Sequence, residues 1–564
     1  MGILWIAGIF AAAILYFLLN KWYQEKKLVK KIDAEWSSSE RMSGVDIVQA
    51  GHYFDLWKES NSASITMDNA TWNDLEMSAI YRRMDHCQSM PGRQVLYRML
   101  HTPEGKPENL SHYNEIMDFV LEKKEVRNKL QLLLNRLNSD HMWYVSQIFM
   151  KDLPGKVAMP FLFRITPFLA VCCILVAPFY WQSLLGLIAI GFINTGIHQM
   201  YKKELFVYSG SLSDLRSILF TGDKIRSWMN NVPVLMHEQN QLDDDMKQLR
   251  PLKKVLKPLI ISSGSTNEAL DLFNEYINRV FLIDVNVYVR AHEDLRVYRK
   301  EIQRVYEAIG LLDALTAVAS FRESLPVWSR VAFTGNHKLE YKQVYNPLLE
   351  EPVANDISLS RDSVLLTGSN MSGKSTFIRT LGINQLLAQT FGFACSEEAE
   401  LTVLGIAASI RNEDDLLSGK SFYQTEVERV KQLLDQVQGN QPFLVLLDEI
   451  FRGTNTIERI AASREVLAYL SRYNGWVIAA THDLELIDLL DHFRMFHFRE
   501  FVEEGEMRFD YKLRTGPAST RNAIAVLELS GYPDSIVKSA LSLAEVLEDR
   551  YQPINGNGVK SSEL

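Results

Sequence analysis

The chain has 564 residues, more than one hydrophobic core usually serves, so we expect two or more domains. Its hydrophobic fraction of 47% and charged fraction of 23% are typical of a folded protein. The net charge of −9 argues against a protein that coats DNA over its whole surface, although it leaves room for a local basic patch. Residues 551–564 are polar and predict a disordered tail. No metal-ligand spacing is found among the cysteines, which we interpret as reduced thiols: Cys87, Cys172, Cys173 and Cys395.

Residues 3–19 form an uncharged apolar stretch, which is followed by the basic residues Lys21, Lys26, Lys27, Lys30 and Lys31. About 20 apolar residues in a helix cross a bilayer, so the stretch is long enough to span one. A cleaved signal peptide is the alternative, but it needs a basic segment before the stretch and a small-residue cleavage site, and neither is present. We therefore predict a transmembrane anchor over residues 1–22.

Residues 165–197 form a second uncharged stretch, interrupted near Pro178 and Gln182. It is too long for one perpendicular helix, so we predict a transmembrane hairpin over residues 159–200, with a buried hairpin of a soluble protein as the alternative. Basic residues lie on both sides of it: Lys151, Lys156, Arg164, Lys202 and Lys203. The positive-inside rule then predicts an inner (cytoplasmic) membrane location, with the N-terminus outside and the rest facing the cytoplasm.

The segments around the hairpin, residues 36–150 and 205–335, repeat apolar residues at three- and four-residue spacing, which predicts helical domains. From residue 340 the pattern changes. Short β-rich runs at 363–367, 443–447 and 476–480 alternate with helical segments. This alternation predicts an α/β domain with a mostly parallel sheet.

The first of these runs leads into TGSNMSGKST, which matches the phosphate-binding pattern G-x-x-x-x-G-K-[ST] between a strand and a helix. Glycines allow backbone N–H groups to surround phosphate oxygens, and the helix N-terminus adds partial positive charge. Lys374 is expected to contact the β- and γ-phosphates of ATP, and the Ser375 hydroxyl to bind Mg²⁺. The predicted cofactor-binding residues are Gly368, Ser369, Asn370, Met371, Ser372, Gly373, Lys374, Ser375 and Thr376.

Two further β-rich runs end in polar residues. The run at 443–447 is followed by Asp448 and Glu449, and the run at 476–480 by Thr481, His482 and Asp483. The carboxyl ends of parallel strands form the ligand-binding edge of an α/β sheet. Asp448 is expected to hold Mg²⁺ and Glu449 to orient the attacking water or accept its proton. For His482 we predict contact with the γ-phosphate, and a purely structural role is the alternative.

With these residues in place, the chain resembles the MutS family of DNA mismatch-repair ATPases. TGSNMSGKSTFIRT resembles the family's Walker A segment, LLDEIFRGTNT its Walker B segment and D-loop, and AATHD its switch histidine. The segment DDLLSGKSFYQTE, residues 414–426, resembles the family's signature loop. In the family the serine that matches Ser421 contacts the nucleotide of the partner subunit, which implies a homodimer through the ATPase domains.

The resemblance also implies a domain order. An all-α lever-like domain, residues 36–150 and 205–335, precedes the ATPase domain at 340–530, and 531–550 resembles the family's helix-turn-helix dimerisation element. Segments 67–76 and 92–97 resemble the start of the lever domain, and 309–317 resembles its return toward the ATPase. DNA is the partner that the resemblance implies.

The chain also departs from the family's pattern. We expect no room for the mismatch-reading and connector domains before the lever-like segment, and a membrane hairpin interrupts the helical region. Phe451 replaces a usual glycine, and Arg459 lies where the family has Asp-Gly. Pro352 lies near the place of an aromatic residue that stacks on adenine, so we expect Tyr511 to serve instead. ATP binding is compatible with these changes, whereas mismatch recognition does not follow.

Two other functions fit part of the pattern. An ATP-gated membrane scaffold that binds a protein and no DNA agrees with the acidic net charge. An ABC-type transporter agrees with the nucleotide motifs, but three spans per chain are few for a substrate pathway and no LSGGQ-type signature precedes the Asp-Glu pair. We therefore predict a membrane-anchored, dimeric, MutS-like ATPase, with the scaffold as the alternative.

Overall fold

The computed structural model describes residues 2–38, 46–61, 66–103, 105–139, 141–152, 161–230, 232–259, 276–277, 280–335, 337–360, 362–369, 371–410, 422–439, 441–472, 475–503, 506–517, 524, 527 and 531–551. The chain divides into two compact units. The first comprises Met1–Thr66, Ser78–Pro326 and Gln389–Gly392, and the second comprises Met67–Met77, Val327–Ala388 and Phe393–Leu564.

In the described residues up to 324, all regular structure is helical. Its helices are α1 (Gly2–Glu35), α2 (Ile47–Ser60), α3 (Asn69–Asp74), α4 (Met77–Met84), α5 (Met90–His101), α6 (Pro107–Glu122), α7 (Lys124–Leu134), α8 (Ser146–Met150), α9 (Phe161–Val176), α10 (Ser183–Met229), α11 (Met236–Gln248), α12 (Arg250–Leu256), α13 (Ile283–Val297) and α14 (Arg299–Ser324). Short 3-10 turns lie at Asn135–Leu137, Met142–Tyr144 and Pro233–Leu235.

The core of the first unit forms around α14, which packs along α5. Close approach needs a small residue at the contact, and Gly310 provides it: a Cβ atom there would lie 2.4 Å from Cγ2 of Val95. The buried carboxylate of Asp313 accepts hydrogen bonds from the backbone N–H groups of Gln88 at 3.0 Å and Ser89 at 2.7 Å, just before α5 begins. Ser89 is the N-cap of α5, since its hydroxyl oxygen accepts a hydrogen bond from Gly92 N–H at 3.1 Å, and Asp313 of α14 holds this cap residue in place.

The predicted hairpin corresponds to α9 and α10, which pack against each other and are joined by a turn over residues 177–182. The second helix is longer than the expected span, since α10 continues to Met229. Among the residues that the structure describes, Ser183–Met200 is long and apolar enough to cross a membrane, with 11% of it buried, and Ile165–Val176 is a shorter apolar helix.

The second unit carries the strands β1 (Ser329–Phe333), β2 (Leu339–Val344), β3 (Asn355–Leu359), β4 (Ser363–Thr367), β5 (Phe393–Ala394), β6 (Glu398–Leu401), β7 (Gly405–Ser409), β8 (Phe443–Asp448), β9 (Gly475–Ala480), β10 (Phe493–Glu503) and β11 (Glu506–Thr515). Its helices are α15 (Lys374–Phe391), α16 (Phe422–Val437), α17 (Thr456–Leu470) and α18 (Asp534–Tyr551), with a 3-10 turn at Leu484–Leu486. Residues 531–550, the segment predicted to be a helix-turn-helix element, hold a turn at Gly531 followed by the single helix α18. The signature loop up to residue 421 and the tail from 552 lie outside the described ranges.

These strands form two sheets. The five-stranded sheet has the order β3-β2-β6-β1-β5, and the six-stranded sheet has the order β11-β10-β4-β9-β8-β7. In the larger sheet every neighbouring pair is parallel except β10 with β11, in agreement with the predicted mostly parallel sheet. Its central strands β4, β9 and β8 are apolar on both faces and buried, as parallel strands covered on both sides require.

The edge strand β7 is covered by α3. The resemblance predicts that α3 belongs to the start of the helical domain, but in the structure it lies within the second unit. Thr71 Oγ1 accepts a hydrogen bond from the N–H of Ala408 at 3.1 Å, and Asp74 Oδ2 accepts one from Ile410 at 3.1 Å. A covered edge leaves no row of free backbone groups for another chain to pair with.

Candidate nucleotide site

The predicted site residues lie at the carboxyl edge of the six-stranded sheet. The strands β4, β9 and β8 are neighbours, and their register places Leu366 beside Ala480 and Ala480 beside Asp448. The segments that follow these strands therefore begin side by side. Backbone bonds link them further, because the N–H of Thr481 donates to Leu366 O at 3.0 Å and the N–H of Glu449 to Ala480 O at 3.0 Å.

The glycine-rich loop, residues 368–373, connects β4 to α15. Gly368 and Gly373 have φ values of +134° and +106°, a conformation that L side chains rarely adopt. A Cβ atom on Gly368 would also lie 2.8 Å from the carbonyl oxygen of Phe498. The first turn of α15 contains no acidic residue. The loop and the helix N-terminus thus have the form of an anion-binding site. Asn370 lies outside the described residues.

Lys374 is buried at the end of this loop. Its Nζ donates to the carbonyl oxygens of Gly368 at 2.7 Å and Ser369 at 2.8 Å, and lies 3.3 Å from Nε2 of His482. Burial lowers the pKa of the Lys374 ammonium to about 8, although the carboxylates of Glu449 and Asp448 raise it. An anion bound in the loop would stabilise the charged form of this lysine, so the loop fits the phosphates of a nucleotide.

Asp448 and Ser375 meet beside the loop, where the Ser375 hydroxyl hydrogen-bonds the Asp448 carboxylate. Burial raises the pKa of Asp448. Its Oδ1 atom is buried and has no hydrogen-bond partner among the described residues. One hydroxyl and one carboxylate oxygen are hard ligands that fit Mg²⁺, which usually takes one or two protein ligands together with phosphates and water. The described ranges contain no cluster of three or more His, Cys, Asp or Glu side chains suited to a metal.

Glu449 is held on both carboxylate oxygens. Oε1 lies 2.6 Å from Nε2 of His482, and Oε2 lies 2.6 Å from Nε of Arg452. Burial raises the pKa of Glu449, but the hydrogen bond from His482 and the charges of His482, Arg452 and Lys374 outweigh it and lower the pKa overall. The group is therefore an ionised carboxylate. The contact of Arg452 with Glu449 was not predicted from the sequence, although the two residues are only three positions apart.

The segment after Glu449 has an unusual backbone. Phe451, at the position where a glycine was expected from the resemblance, has φ of +64°, and Glu449 has φ of +50°. A left-handed conformation costs a non-glycine residue roughly 1–2 kcal/mol. Burial offsets this cost, since Phe451 is 5% exposed and its ring meets Tyr423 edge-on at 6.3 Å. The Glu426 carboxylate accepts a hydrogen bond from Gly453 N–H at 3.1 Å and fixes the same segment.

A cavity of about 610 Å³ opens next to the loop, large enough for a nucleoside. Tyr511 lines it, with its ring stacked on Phe509 at 5.9 Å, and its contact with adenine stays a prediction. Asn355 holds this part of β11 in place, because its Nδ2 donates to Tyr511 O at 3.0 Å and its Oδ1 accepts from Leu513 N–H at 2.7 Å. Phe509 was not predicted, although it is two residues from Tyr511 and so on the same face of the strand.

The structure thus brings together most of the predicted site residues: Gly368, Ser369, Met371, Ser372, Gly373, Lys374, Ser375, Thr376, Asp448, Glu449, His482 and Tyr511. Met371 is 80% exposed at the tip of the loop. Ser421 lies outside the described residues, so its predicted contact with a partner subunit stays a prediction.

Comparison with known proteins gives a match to the family model described as MutS domain V over residues 364–548. The chain is 34% identical over 260 residues to the DNA mismatch repair protein MutS of Thermus thermophilus, a match that covers 45% of this chain and 31% of the relative. It is 30% identical over 279 residues to the DNA mismatch repair protein MutS of Lactobacillus acidophilus, with 47% and 32% coverage. The similarity thus spans about a third of the length of these relatives.

Proposed function

Because the chain belongs to the MutS family through residues 364–548, we propose that it is an ATPase that binds ATP with Mg²⁺ at the glycine-rich loop. The observation that carries this proposal is the grouping of Lys374, Asp448, Glu449 and His482 at one edge of the sheet. A buried lysine, an unpartnered carboxylate oxygen and a clamped carboxylate are the parts that phosphoryl transfer to water needs.

Each residue has a distinct role in this proposal. The N–H groups of the loop and the ammonium of Lys374 bind the phosphates, and the Nζ atom exchanges the carbonyl oxygens of Gly368 and Ser369 for phosphate oxygens. Ser375 and Asp448 would hold Mg²⁺, which would supply positive charge next to the transferred phosphoryl group. Glu449 orients the attacking water. His482 holds Glu449 in place through Nε2 and lies beside Lys374, where its ring would contact the γ-phosphate.

The cavity beside the loop receives the base and ribose. Tyr511 stacks on the adenine ring, in place of the aromatic residue expected near Pro352, and Phe509 supports it from behind. Tyr511 is 43% exposed, so an adenine ring would bury apolar surface that otherwise meets water.

We propose that the ATPase works as a homodimer on DNA. The relatives are named as DNA mismatch repair proteins. The resemblance of residues 414–426 to the family's signature loop implies that Ser421 acts across a dimer interface. Closing two ATP sites between subunits would couple the nucleotide cycle to movement of the helical unit. Mismatch recognition itself does not belong to this proposal, because the similarity covers about a third of the relatives.

We further propose that α1 and the hairpin of α9 and α10 associate with the inner (cytoplasmic) membrane and hold the ATPase on its cytoplasmic face. The exposed apolar side chains of the hairpin and the lysines that follow residue 19 support this location. An ATP-gated membrane scaffold that binds a protein and no DNA is the second candidate, and the net charge of −9 favours it.

ATP hydrolysis by the full chain, purified in detergent, tests the main proposal. The expected result is Mg²⁺-dependent turnover that Lys374→Ala nearly abolishes and Lys431→Ala leaves unchanged. Lys431 is the matched control because it is an exposed lysine of the same unit, on the helix surface beside Asp435. Turnover by Lys374→Ala at the wild-type rate would overturn the assignment of the site.

DNA binding separates the two candidates. A protein that contacts phosphates releases counterions, so its affinity falls steeply as salt is raised. We expect binding to duplex, mismatched or branched DNA that weakens with salt, together with a change in ATP turnover. A chain that hydrolyses ATP but binds none of these DNAs at low salt would support the scaffold.

A further inference from the structure

The hairpin of α9 and α10 presents an apolar surface with no covering element among the described residues. Large side chains with exposed fractions from 60% to 83% lie on both helices and on the turn: Phe168, Leu175, Phe179, Tyr180, Trp181, Leu185 and Phe192. A surface of this kind marks an interaction site. Basic residues at both ends of the hairpin sequence identify its partner as a bilayer with anionic headgroups.

Polar contacts limit how deep this hairpin inserts. Asn194 is fully buried and donates from Nδ2 to Val280 O at 2.5 Å. One turn further along α10, His198 Nε2 lies 3.0 Å from the carboxylate of Asp284, at the start of α13. Beyond Asp284, α13 continues with polar side chains that include Asn286 and the exposed Arg290. A helix of this composition belongs in water, so the hydrocarbon boundary lies at or before Asn194.

The part of the hairpin that lies between this boundary and the turn is too short to cross a bilayer. From Ser183 to Asn194 α10 rises about 17 Å at about 1.5 Å per residue. On the other helix, Ile165–Val176 has about the same length, and Thr166 and Ala170 near its base are buried. The hydrocarbon core of a bilayer is about 30 Å thick. The hairpin therefore reaches little more than half of it.

Helix α1 gives the contrast. From Gly2 to Trp22 its backbone rises about 30 Å, which matches the hydrocarbon thickness. Trp22 and Tyr23 are exposed there, as residues at a membrane interface are, and Glu25 pairs with Arg136 of the first unit at 3.8 Å. The water-facing part of α1 therefore begins just after Tyr23.

We propose that the hairpin is a one-leaflet anchor: it enters the cytoplasmic leaflet, and its turn over residues 177–182 does not reach the opposite aqueous side. The turn carries Tyr180 and Trp181, whose polar groups favour the headgroup boundary, so the hairpin inserts obliquely. This inference rests on the membrane association proposed above. It means that α1 spans the bilayer and that the hairpin, which was predicted to span it, does not.

Cysteine labelling in sealed, right-side-out vesicles tests the inference. The full chain has four cysteines, which are first replaced by alanine. Single cysteines are then introduced as Gln182→Cys in the turn, Gly2→Cys at the start of α1, and Lys31→Cys after α1, and a membrane-impermeant maleimide is added outside. We expect Gly2→Cys to be labelled at once, and Gln182→Cys and Lys31→Cys only after the vesicles are lysed.

Labelling of Gln182→Cys from outside at the rate of Gly2→Cys would show that the hairpin crosses and would overturn the inference. Labelling of Gly2→Cys only after lysis would show that α1 does not span the bilayer and would contradict the contrast drawn between α1 and the hairpin. Carbonate extraction of the same vesicles tests the proposed membrane association. A chain released by carbonate would overturn that association and, with it, the one-leaflet anchor. ATP turnover of each variant shows whether the ATPase proposal stands independently.

Discussion

Nε2 of His482 lies 2.6 Å from Oε1 of Glu449 and 3.3 Å from Nζ of Lys374. One imidazole thus contacts both the proposed water-orienting group and the proposed phosphate-binding group. The residues on either side of it are fixed: Thr481 N–H is bonded to Leu366 O at 3.0 Å, and Arg459 holds Asp483 with two bonds of 2.6 and 2.8 Å. The histidine therefore has little freedom to leave this position.

Replacing His482 by alanine should slow ATP turnover by about 10- to 100-fold and weaken ATP binding by much less, because the variant frees Glu449 and removes one contact of Lys374 while the lysine and the loop N–H groups remain. Turnover and nucleotide affinity are measured separately on the full chain. The matched control is His492→Ala, an exposed histidine of the same unit that lies before β10. Equal turnover in the two variants would leave His482 with a structural role only.

The lowered pKa of Lys374 predicts a pH dependence of ATP binding. Without nucleotide this pKa is about 8, because burial destabilises the charged ammonium, and bound phosphate would raise it again. Above pH 8 the lysine must take up a proton when ATP binds. The affinity should therefore fall as pH rises through 8, by up to about tenfold per pH unit. It should be nearly constant below pH 7, where the lysine is already charged.

Titrations with a fluorescent ATP analogue between pH 7 and 9.5 measure this dependence. Lys374→Arg is the control, since a guanidinium remains charged over the whole range. Its affinity, whatever the absolute value, should lose the slope above pH 8. A wild-type affinity that is flat up to pH 9.5 would contradict the assigned contact between Lys374 and the phosphates.

The sequence predicted the site better than the surroundings of the site. The strands at 363–367, 443–447 and 476–480 were located to within one residue, because buried parallel strands are continuous apolar runs bounded by polar segments. Pairing between distant segments leaves no such local signal. In the five-stranded sheet β1 pairs with β5 and β6, and in the other sheet β7 is covered by α3, which is distant from it in sequence. Neither arrangement was predicted.

Side-chain partners were equally hard to predict. The clamp of Arg452 on Glu449 depends on the left-handed backbone at Glu449 and Phe451, which no property of a phenylalanine indicates. Length was a further difficulty, since the apolar part of α10 ends near residue 200 while the helix continues to Met229. The expected domain boundaries, the role of Ser421 and the membrane location stay predictions.

The composite dimer site can be tested through Ser421. Mixing inactive Lys374→Ala and Ser421→Ala chains should restore part of the ATP turnover if the serine acts across the interface. In a mixed dimer one site then carries both lesions and the other carries none. If Ser421 acts within its own chain, each site carries one lesion and no activity returns. Turnover close to normal in Ser421→Ala alone would instead indicate a structural serine.

Stability of the helical unit should depend on Gly92. This glycine faces the buried carboxylate of Asp313, and a Cβ atom there would lie 2.2 Å from its Oδ2 and 2.6 Å from its Cβ. The carboxylate cannot move without losing its bonds to Gln88 and Ser89. We expect Gly92→Ala to lower the free energy of unfolding by about 2–4 kcal/mol.

Thermal unfolding followed by helical circular dichroism measures this loss. Gly196→Ala is the matched control, because Gly196 also lies within a helix and a Cβ atom there would have no neighbour within 4 Å. Alanine in a helix is favoured over glycine by about 1 kcal/mol, so the control should be as stable as the wild type or more so. Equal melting temperatures in the two variants would contradict the packing of α5 on α14.

The most direct test of the central claim is the hydrolysis of ATP by Glu449→Gln in a single turnover. The substitution keeps the size of the side chain and removes the carboxylate that orients water, while Lys374, Ser375 and Asp448 remain. The account predicts that the variant binds ATP with Mg²⁺ as tightly as the wild type and cleaves it at least about 100-fold more slowly. Cleavage at the wild-type rate by Glu449→Gln would contradict it.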